Sequence, residues 1–414
     1  MSRRPALRIA PALGALIACL AGPALAAPTG NLLADPGFEN TMAAHPWMPA
    51  AWDTSWSEMP TVFFGRDTMV AHGGRYSVSV ANVSTLVPLW HNWSQTLVVG
   101  PEMWNKDVVL SVWTRSNGVQ GRAYILLQAY RDTVGKMARL WKVPRDTVLA
   151  RLGLFTTTDP YVYLGMKREY FSDPETDWVR RQVRVFIPPS TNLIIARCGL
   201  FGTGQVFFDD ASLTAEEALP APELPVGVNL LEDPGFEGNG DRWEYSLPPY
   251  DEMRCDRDTT VVHSGKASIR FTGGTIGMVK TRAAVAQLIG NRSLAGKRLR
   301  LTGWVKCDSL MSQAYIKLYC TTLKQDEHVG APQLVGNTTP WTRLQMEMDV
   351  PKDAYQVWAW LLYNAPAEGR VYFDDASLEV IGPARGASPA GTPATTPAKP
   401  GSVQKPKPKG VATP

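Results

Sequence analysis

The 414-residue chain is poor in the residues that usually announce chemistry: five cysteines, five histidines, and no Cys-x-x-Cys or other zinc-like spacing among them. It has no His-Glu-x-x-His, no Gly-x-Ser-x-Gly, no Gly-rich phosphate loop and no Walker A string. The common metalloprotease, esterase and nucleotide-handling classes therefore have no motif here. The histidines (His45, His72, His91, His263, His328) are scattered, and only His72 and His263 fall in a string that occurs twice. No segment beyond the first 26 residues is long and apolar enough to be a transmembrane helix. A basic body is missing too. The leader holds Arg3, Arg4 and Arg8, and the tail holds Arg385, Lys399, Lys405, Lys407 and Lys409, which leaves 34 basic against 38 acidic residues over 27–381. A mildly acidic body argues against a nucleic-acid binder, which shows a basic face on its folded part.

The two ends read differently from the middle. Residues 1–26 have a basic start, a short apolar run "IAPALGALIACLAG" and a small-x-small "ALA" at 24–26, the layout of a secretory signal peptide. "LIAC" at 16–19 also fits a lipobox, which would anchor the chain through Cys19, although the apolar "LAGPALA" that follows suits cleavage after Ala26 better. Both readings export the protein, as a secreted or periplasmic chain or, in the minority reading, a lipid-anchored one. Residues 382–414 are Pro, Ala, Thr, Gly and Lys without an apolar period and read as a disordered tail. Its lysines would suit an acidic envelope partner, but a solvated tail is the commoner meaning of such composition. Cys198, Cys255, Cys307 and Cys320 remain after cleavage, and their spacing fixes no pairing. Asn82, Asn92, Asn291 and Asn337 head N-x-S/T strings, which matter only in a glycosylating host.

What the middle has is repetition. "NLLADPGFEN" at Asn31 returns as "NLLEDPGFEG" at Asn229. "RDTMVAHGGRYS" (66–77) matches "RDTTVVHSGKAS" (257–268), "LSVWTR" (110–115) matches "LTGWVK" (301–306), and "AYILLQAY" (123–130) matches "AYIKLYCT" (314–321), all at an offset of 191. "VFFDDASL" (206–213) then matches "VYFDDASL" (371–378) at an offset of 165. A unit this long, in fixed order, means two tandem domains rather than a solenoid. They occupy 27–215 and 229–381, joined by a Pro-containing linker at 216–228. The change of offset places an insertion at about 131–165 of the first copy, where "PRDTVLARLGLF" (144–155) is able to form a helical turn or two. Elsewhere short segments rich in β-branched and aromatic residues alternate with Gly, Pro, Asn and Asp, which predicts an all-β chain of two β-sandwiches.

Taken together, N-L-L-x-x-P-G-F-E, His-x-Gly-x-x-Ser, a Trp-x-[Lys/Arg] strand, a second Trp strand and a closing [Phe/Tyr]-Phe-Asp-Asp-x-Ser-Leu resemble the carbohydrate-binding modules of the cellulase-C type (family 4/9-like). The resemblance covers nearly all of 31–381 except the insertion. It implies galactose-binding-like β-jelly rolls in which the first and last strands lie together. It also implies one structural calcium per domain, at Glu39 with Asp209 or Asp210 and at Glu237 with Asp374 or Asp375. Carboxylates with carbonyls from the Gly-rich turns make an oxygen set suited to Ca²⁺. The alternative is that these acids cap turns or pair with Arg66 and Arg257.

Sugar sites combine aromatic platforms with polar side chains around a shallow cleft. Trp113, Trp304, Trp178 and Trp341 occupy matched strands and read as core. The candidates for glycan contact are Trp52, Trp56, Trp90, Trp93, Tyr124 and Gln128 in the first copy, and Trp243, Tyr245, Tyr250, Tyr315, Tyr319 and Trp358 in the second. Asn92, Gln95, Tyr130, Trp360 and Gln287 stand nearby. For an enzyme the case is weak: a glycosidase needs two carboxylates facing across a cleft, whereas Asp209–Asp210 and Asp374–Asp375 are strand neighbours that point apart. The expectation is an exported, non-catalytic protein that binds polysaccharide or glycan. The alternatives are an envelope scaffold that binds no sugar and, more weakly, a glycoside-active protein or an accessory to one.

Overall fold

The computed structural model describes residues 30–43, 45–54, 60–84, 90–132, 161–238, 240, 242–246, 253–273, 281–290, 292–322, 327–329, 334–365 and 367–385. Trp56, Tyr250, the leader, the tail beyond residue 385 and the helical turn expected at 144–155 lie outside them. So does most of the expected insertion.

In chain order the first domain holds β1 (Thr41–Met42), β2 (His45–Pro49), β3 (Asp53–Thr54), β4 (Val62–Asp67), β5 (Ser77–Asn82), β6 (Trp90–Val98), β7 (Lys106–Asp132), β8 (Tyr161–Phe171), β9 (Val179–Ile187) and β10 (Leu193–Glu217). The second holds β11 (Glu244–Ser246), β12 (Arg254–Asp258), β13 (Ser268–Thr272), β14 (Thr281–Ile289), β15 (Lys297–Thr322), β16 (Glu327–Val329), β17 (Leu334–Asp349), β18 (Ala354–Ala365) and β19 (Arg370–Pro383). Each domain is a β-sandwich, as the strand-rich sequence predicts.

Long strands do the folding. The C-terminal half of β7 pairs with the start of β10 and with β8, which together with β6 and β3 make one sheet. The N-terminal half of β7 pairs with the end of β10 and with β9, and β5 and β4 extend that second sheet. The turn from sheet to sheet falls at Gly118, Gly121, Gly202 and Gly204, all at positive φ. A Cβ at Gly204 would sit 2.6 Å from the Gly118 carbonyl carbon, so this corner admits only glycine. In the second domain β15 runs through both sheets in the same way. There β18 and β19 replace the single strand β10, and Ser309 and Gly369 take the positive-φ positions.

The core lies between the sheets. Along β7 the alternation puts Ala123, Ile125, Leu127 and Ala129 inside, and Tyr124, Leu126, Gln128 and Tyr130 on the outer face. The repeated opening string closes each sandwich. Asn31 Oδ1 accepts from the N–H groups of Leu33 and Leu213, and its Nδ2 donates to the Ala211 carbonyl. Asn229 does the same with Leu231, Leu378 and Ala376. Phe38 and Phe236 follow as fully buried core residues at positive φ. The first and last strands of each domain therefore meet, as the resemblance implies. The linker is held against the second domain: Ser293 Oγ donates to the Pro222 carbonyl at 2.5 Å, and Gly227 N to the Val380 carbonyl at 3.0 Å.

Candidate functional site

Three of the tryptophans expected at a sugar cleft are core residues. Trp52 and Trp243 are matched at the offset of 191, pack on Phe38 and Phe236 with centroids 4.9 and 5.0 Å apart, and donate their indole N–H to the carbonyls of Asp35 and Asp233. Trp93 is fully buried and donates to the Ser79 carbonyl at 3.0 Å. None of the three presents a ring to a ligand. Gln95 and Gln287 also point inward, each gripping the opening strand through Ala34 or Glu232. Conversely, Trp113, Trp178, Trp304 and Trp341 stand outside the cores and are half-buried. His72 stacks on Trp113 at 3.9 Å with its edge toward Trp178, and His263 does the same with Trp304 and Trp341.

The remaining candidates come together. On the outer face of the first domain's β6–β10–β7–β8 sheet, Trp90, Tyr124 and Tyr170 surround the guanidinium of Arg168, whose Cζ is 4.5, 5.4 and 5.2 Å from the three ring centroids. Gly199 lies beneath Tyr124; a Cβ there would come within 2.7 Å of the ring carbon Cζ. Asn92 donates to the Tyr124 hydroxyl at 3.1 Å. The charged partner of Arg168 belongs to the other domain: Glu244 on β11 accepts from Arg168 and, at 3.2 Å, from the Tyr170 hydroxyl. Beside it Arg122 donates to the Trp243 carbonyl at 2.7 Å and lies 4.2 Å over the Tyr245 ring. Burial pushes the Tyr124 phenol up to about 12 and raises Tyr170 as well. For Arg168 burial pulls the other way, but Glu244, Tyr170 and Tyr124 more than offset it and hold the guanidinium above its usual range.

The second domain's equivalent face carries Tyr315, Lys317 and Tyr319 on β15 and Trp358 and Trp360 on β18, with Tyr319 registered opposite Trp358 and Lys317 opposite Trp360. Tyr315 and Trp358 are largely covered, and Tyr319, Lys317 and Trp360 are half-buried. One apolar cluster then joins the two domains. Tyr124, Leu126 and Met166 of the first pack with Ala286 and Trp358 of the second, and Trp90, Tyr170, Leu288, Tyr319 and Trp360 lie against it. Gln128 is half-buried beside Met166. The two outer faces that carry the candidate residues thus face each other across a shared interface. Sequence reasoning passed over Arg122, Arg168, Tyr170 and Glu244. The signal for Arg168 and Tyr170 was the period-two set Met166, Arg168, Tyr170, which lies opposite Gln128, Leu126 and Tyr124 in the sheet.

The carboxylates assigned to calcium do not fit a cation cage as they are arranged. Asp209 accepts from the N–H groups of His72, Gly73 and Asp210, and Glu39 from those of Arg75 and Tyr76. Asp210 pairs with His72 Nδ1 at 2.6 Å. The nearby carbonyls of Phe38 and Glu39 accept from Arg66. Asp374, Asp375, Glu237, His263 and Arg257 repeat the pattern. No group of three or more His, Cys, Asp or Glu able to hold a metal occurs among the described residues. Nor do the acids pair with Arg66 or Arg257, which bind the backbone instead. The turn glycine is required here: Gly74 has φ +61°, and a Cβ on it would overlap the Glu39 carboxylate. The four cysteines among the described residues, Cys198, Cys255, Cys307 and Cys320, are free thiols, three of them buried.

No family model and no curated protein matches the sequence. Among solved structures, the chain is similar to the N-terminal CBM22-1–CBM22-2 tandem of Paenibacillus barcinonensis Xyn10C, with 14% identity, 87% of this chain and 99% of that one covered, and a TM-score of 0.30. It is similar also to the C-terminal family 22 carbohydrate-binding module of Clostridium thermocellum Xyn10B (16% identity, 39% of this chain, 98% of that one, TM-score 0.30). A third likeness is to the enzymatically active domain of tailspike protein 4 from bacteriophage CBA120 (15% identity, 37% and 21%, TM-score 0.31).

Proposed function

We propose that this is an exported, non-catalytic glycan-binding protein built from two modules of the cellulase-C type, and that the outer face of the second module carries its aromatic platform. The observation behind the reading is the outer face of β15 and β18. There Tyr315, Tyr319, Trp358 and Trp360 replace the polar residues that a solvent-facing sheet surface normally shows. Rings in a row, of which Tyr319 and Trp360 are half-buried, with Lys317 among them, suit the C–H faces and hydroxyls of a sugar chain. Export rests on the N-terminal run alone. The test is retention of the 27–381 chain in native gels cast with soluble neutral polysaccharides. Retardation by one polymer, lost in Trp360→Ala with the fold kept by circular dichroism, is the expected result. Unaltered mobility in every polymer defeats the reading. The sealed outer face of the first module favours a second reading, in which the pair serves as a rigid envelope scaffold, and uniform mobility would point there.

A further inference from the structure

We propose that the outer face of the first module is a binding site for a carboxylate-bearing sugar, covered by the second module, whose Glu244 takes the place of the sugar carboxylate. This deepens the glycan-binding reading and rests on it. Three aromatic rings and a guanidinium form the floor: Trp90, Tyr124, Tyr170 and Arg168. The rings offer flat apolar surface, and Arg168 with the Tyr170 hydroxyl offers two donors converging on one carboxylate. Glu244 fills that position from another domain, on a three-residue strand.

The pair is poorly chosen as glue. Desolvating an arginine and a glutamate takes back most of what their attraction returns, and apolar residues of the same volume hold two domains together at least as well. The same pair is well suited to exchange. A uronate carboxylate entering as Glu244 leaves keeps the guanidinium neutralised throughout, so the large penalty of an unpaired buried charge is never met. Glu244 is also the more accessible partner, its side chain 21% exposed against 11% for Arg168.

The experiment is affinity electrophoresis of the 27–381 chain in gels containing polygalacturonate or a neutral β-1,4-galactan. Glu244→Gln keeps size and removes the competing charge, and it should raise affinity for polygalacturonate about tenfold while leaving mobility in galactan unchanged. Adding Arg168→Gln should abolish the gain. Glu175→Gln, an exposed charge change elsewhere on the first module, should have no effect. A folded Glu244→Gln chain with no gain, or with an equal gain on galactan or in Glu175→Gln, overturns the proposal. If neutral polymer still retards the chain through Trp360, the glycan-binding reading survives that result. Should Glu244→Gln fail to fold, tryptophan fluorescence of the unaltered chain titrated with trigalacturonate carries the test: saturable quenching absent with galactotriose supports the site, and no saturable change refutes it.

Discussion

Replacing Asn229 by alanine tests why the opening string occurs twice. Its side chain makes three hydrogen bonds to backbone: from the N–H of Leu231 at 3.1 Å, from the N–H of Leu378 at 3.0 Å, and to the carbonyl of Ala376 at 3.0 Å. Each such bond contributes about 1 kcal/mol net. Alanine leaves two N–H groups and a carbonyl without their partner at the seam between first and last strands, so the expected loss is about 3 kcal/mol. For a module of this size that corresponds to a fall of roughly 6–12 °C in its melting temperature. Asn229→Asp separates the bonds: it keeps an acceptor for both N–H groups but sets an oxygen against the Ala376 carbonyl. It should therefore be similarly damaging at neutral pH and partly recover when the carboxyl is protonated. Asn31→Ala is the internal copy, with Leu33, Leu213 and Ala211 as the orphaned partners. Urea unfolding followed by fluorescence, with calorimetry to assign the transition to a module, reads both. Losses below about 0.5 kcal/mol in both variants, the range of an ordinary surface change, would refute the idea that this asparagine closes the sandwich.

Two further predictions concern the repeated acids. Burial raises Asp209 from 3.8 to about 6 against the pull of its N–H partners, and Asp374 shifts in the same direction. A carboxyl whose folded pKa lies above its unfolded one contributes stability that is fully present below the unfolded value and is lost as pH rises through the folded value. Between pH 7 and 5 Asp209 should therefore add about 1 kcal/mol to the first module, a slope that Asp209→Asn removes and that paired melting curves at the two pH values would reveal. Because Arg66 and Arg257 hold the carbonyls and N–H groups hold the carboxylates, chelator should leave the melting temperature unchanged. A rise on adding Ca²⁺ would restore the metal expectation, since a ion bound only by the folded state must stabilise it.

Fold was legible because it is written in local pattern. Period-two strands, turn residues and two copies of a 150–180-residue unit sufficed to read a pair of sandwiches. The site was less legible because a strand's parity, not its composition, decides which way a tryptophan points. Trp93 and Trp90 sit three residues apart on β6, so one enters the core and the other the outer face. Trp52 and Trp243 had a signal that went unused: they are matched at the same offset as the core strings, and a pair fixed by the framework belongs to the framework. Trp113 and Trp304 show the limit of that rule, being matched yet outside the core, because each matched His72 or His263 turn lies over them. The Arg168–Glu244 contact joins residues 76 apart across two domains, and no window along the chain contains it.

The asparagine closure has a further consequence, for synthesis rather than stability. Asn31 and Asn229 present the same string, and each requires a closing strand, ending "FDDASL", that arrives long after it: 182 residues later for Leu213 and 149 later for Leu378. Neither sandwich is complete until its last strand exists, and the contacts that finish it are the most distant in sequence, the slow kind to form. A fully unfolded chain has two openings and two interchangeable endings, so Asn31 can close on Leu378 and leave the second opening stranded, a domain-swapped trap of the sort tandem repeats invite. Emergence from the N-terminus removes the ambiguity, since Leu213 is available to Asn31 before Asn229 or its partner has been made. Refolding from denaturant withdraws that ordering, and the yield of native protein should then fall below that of either module refolded alone.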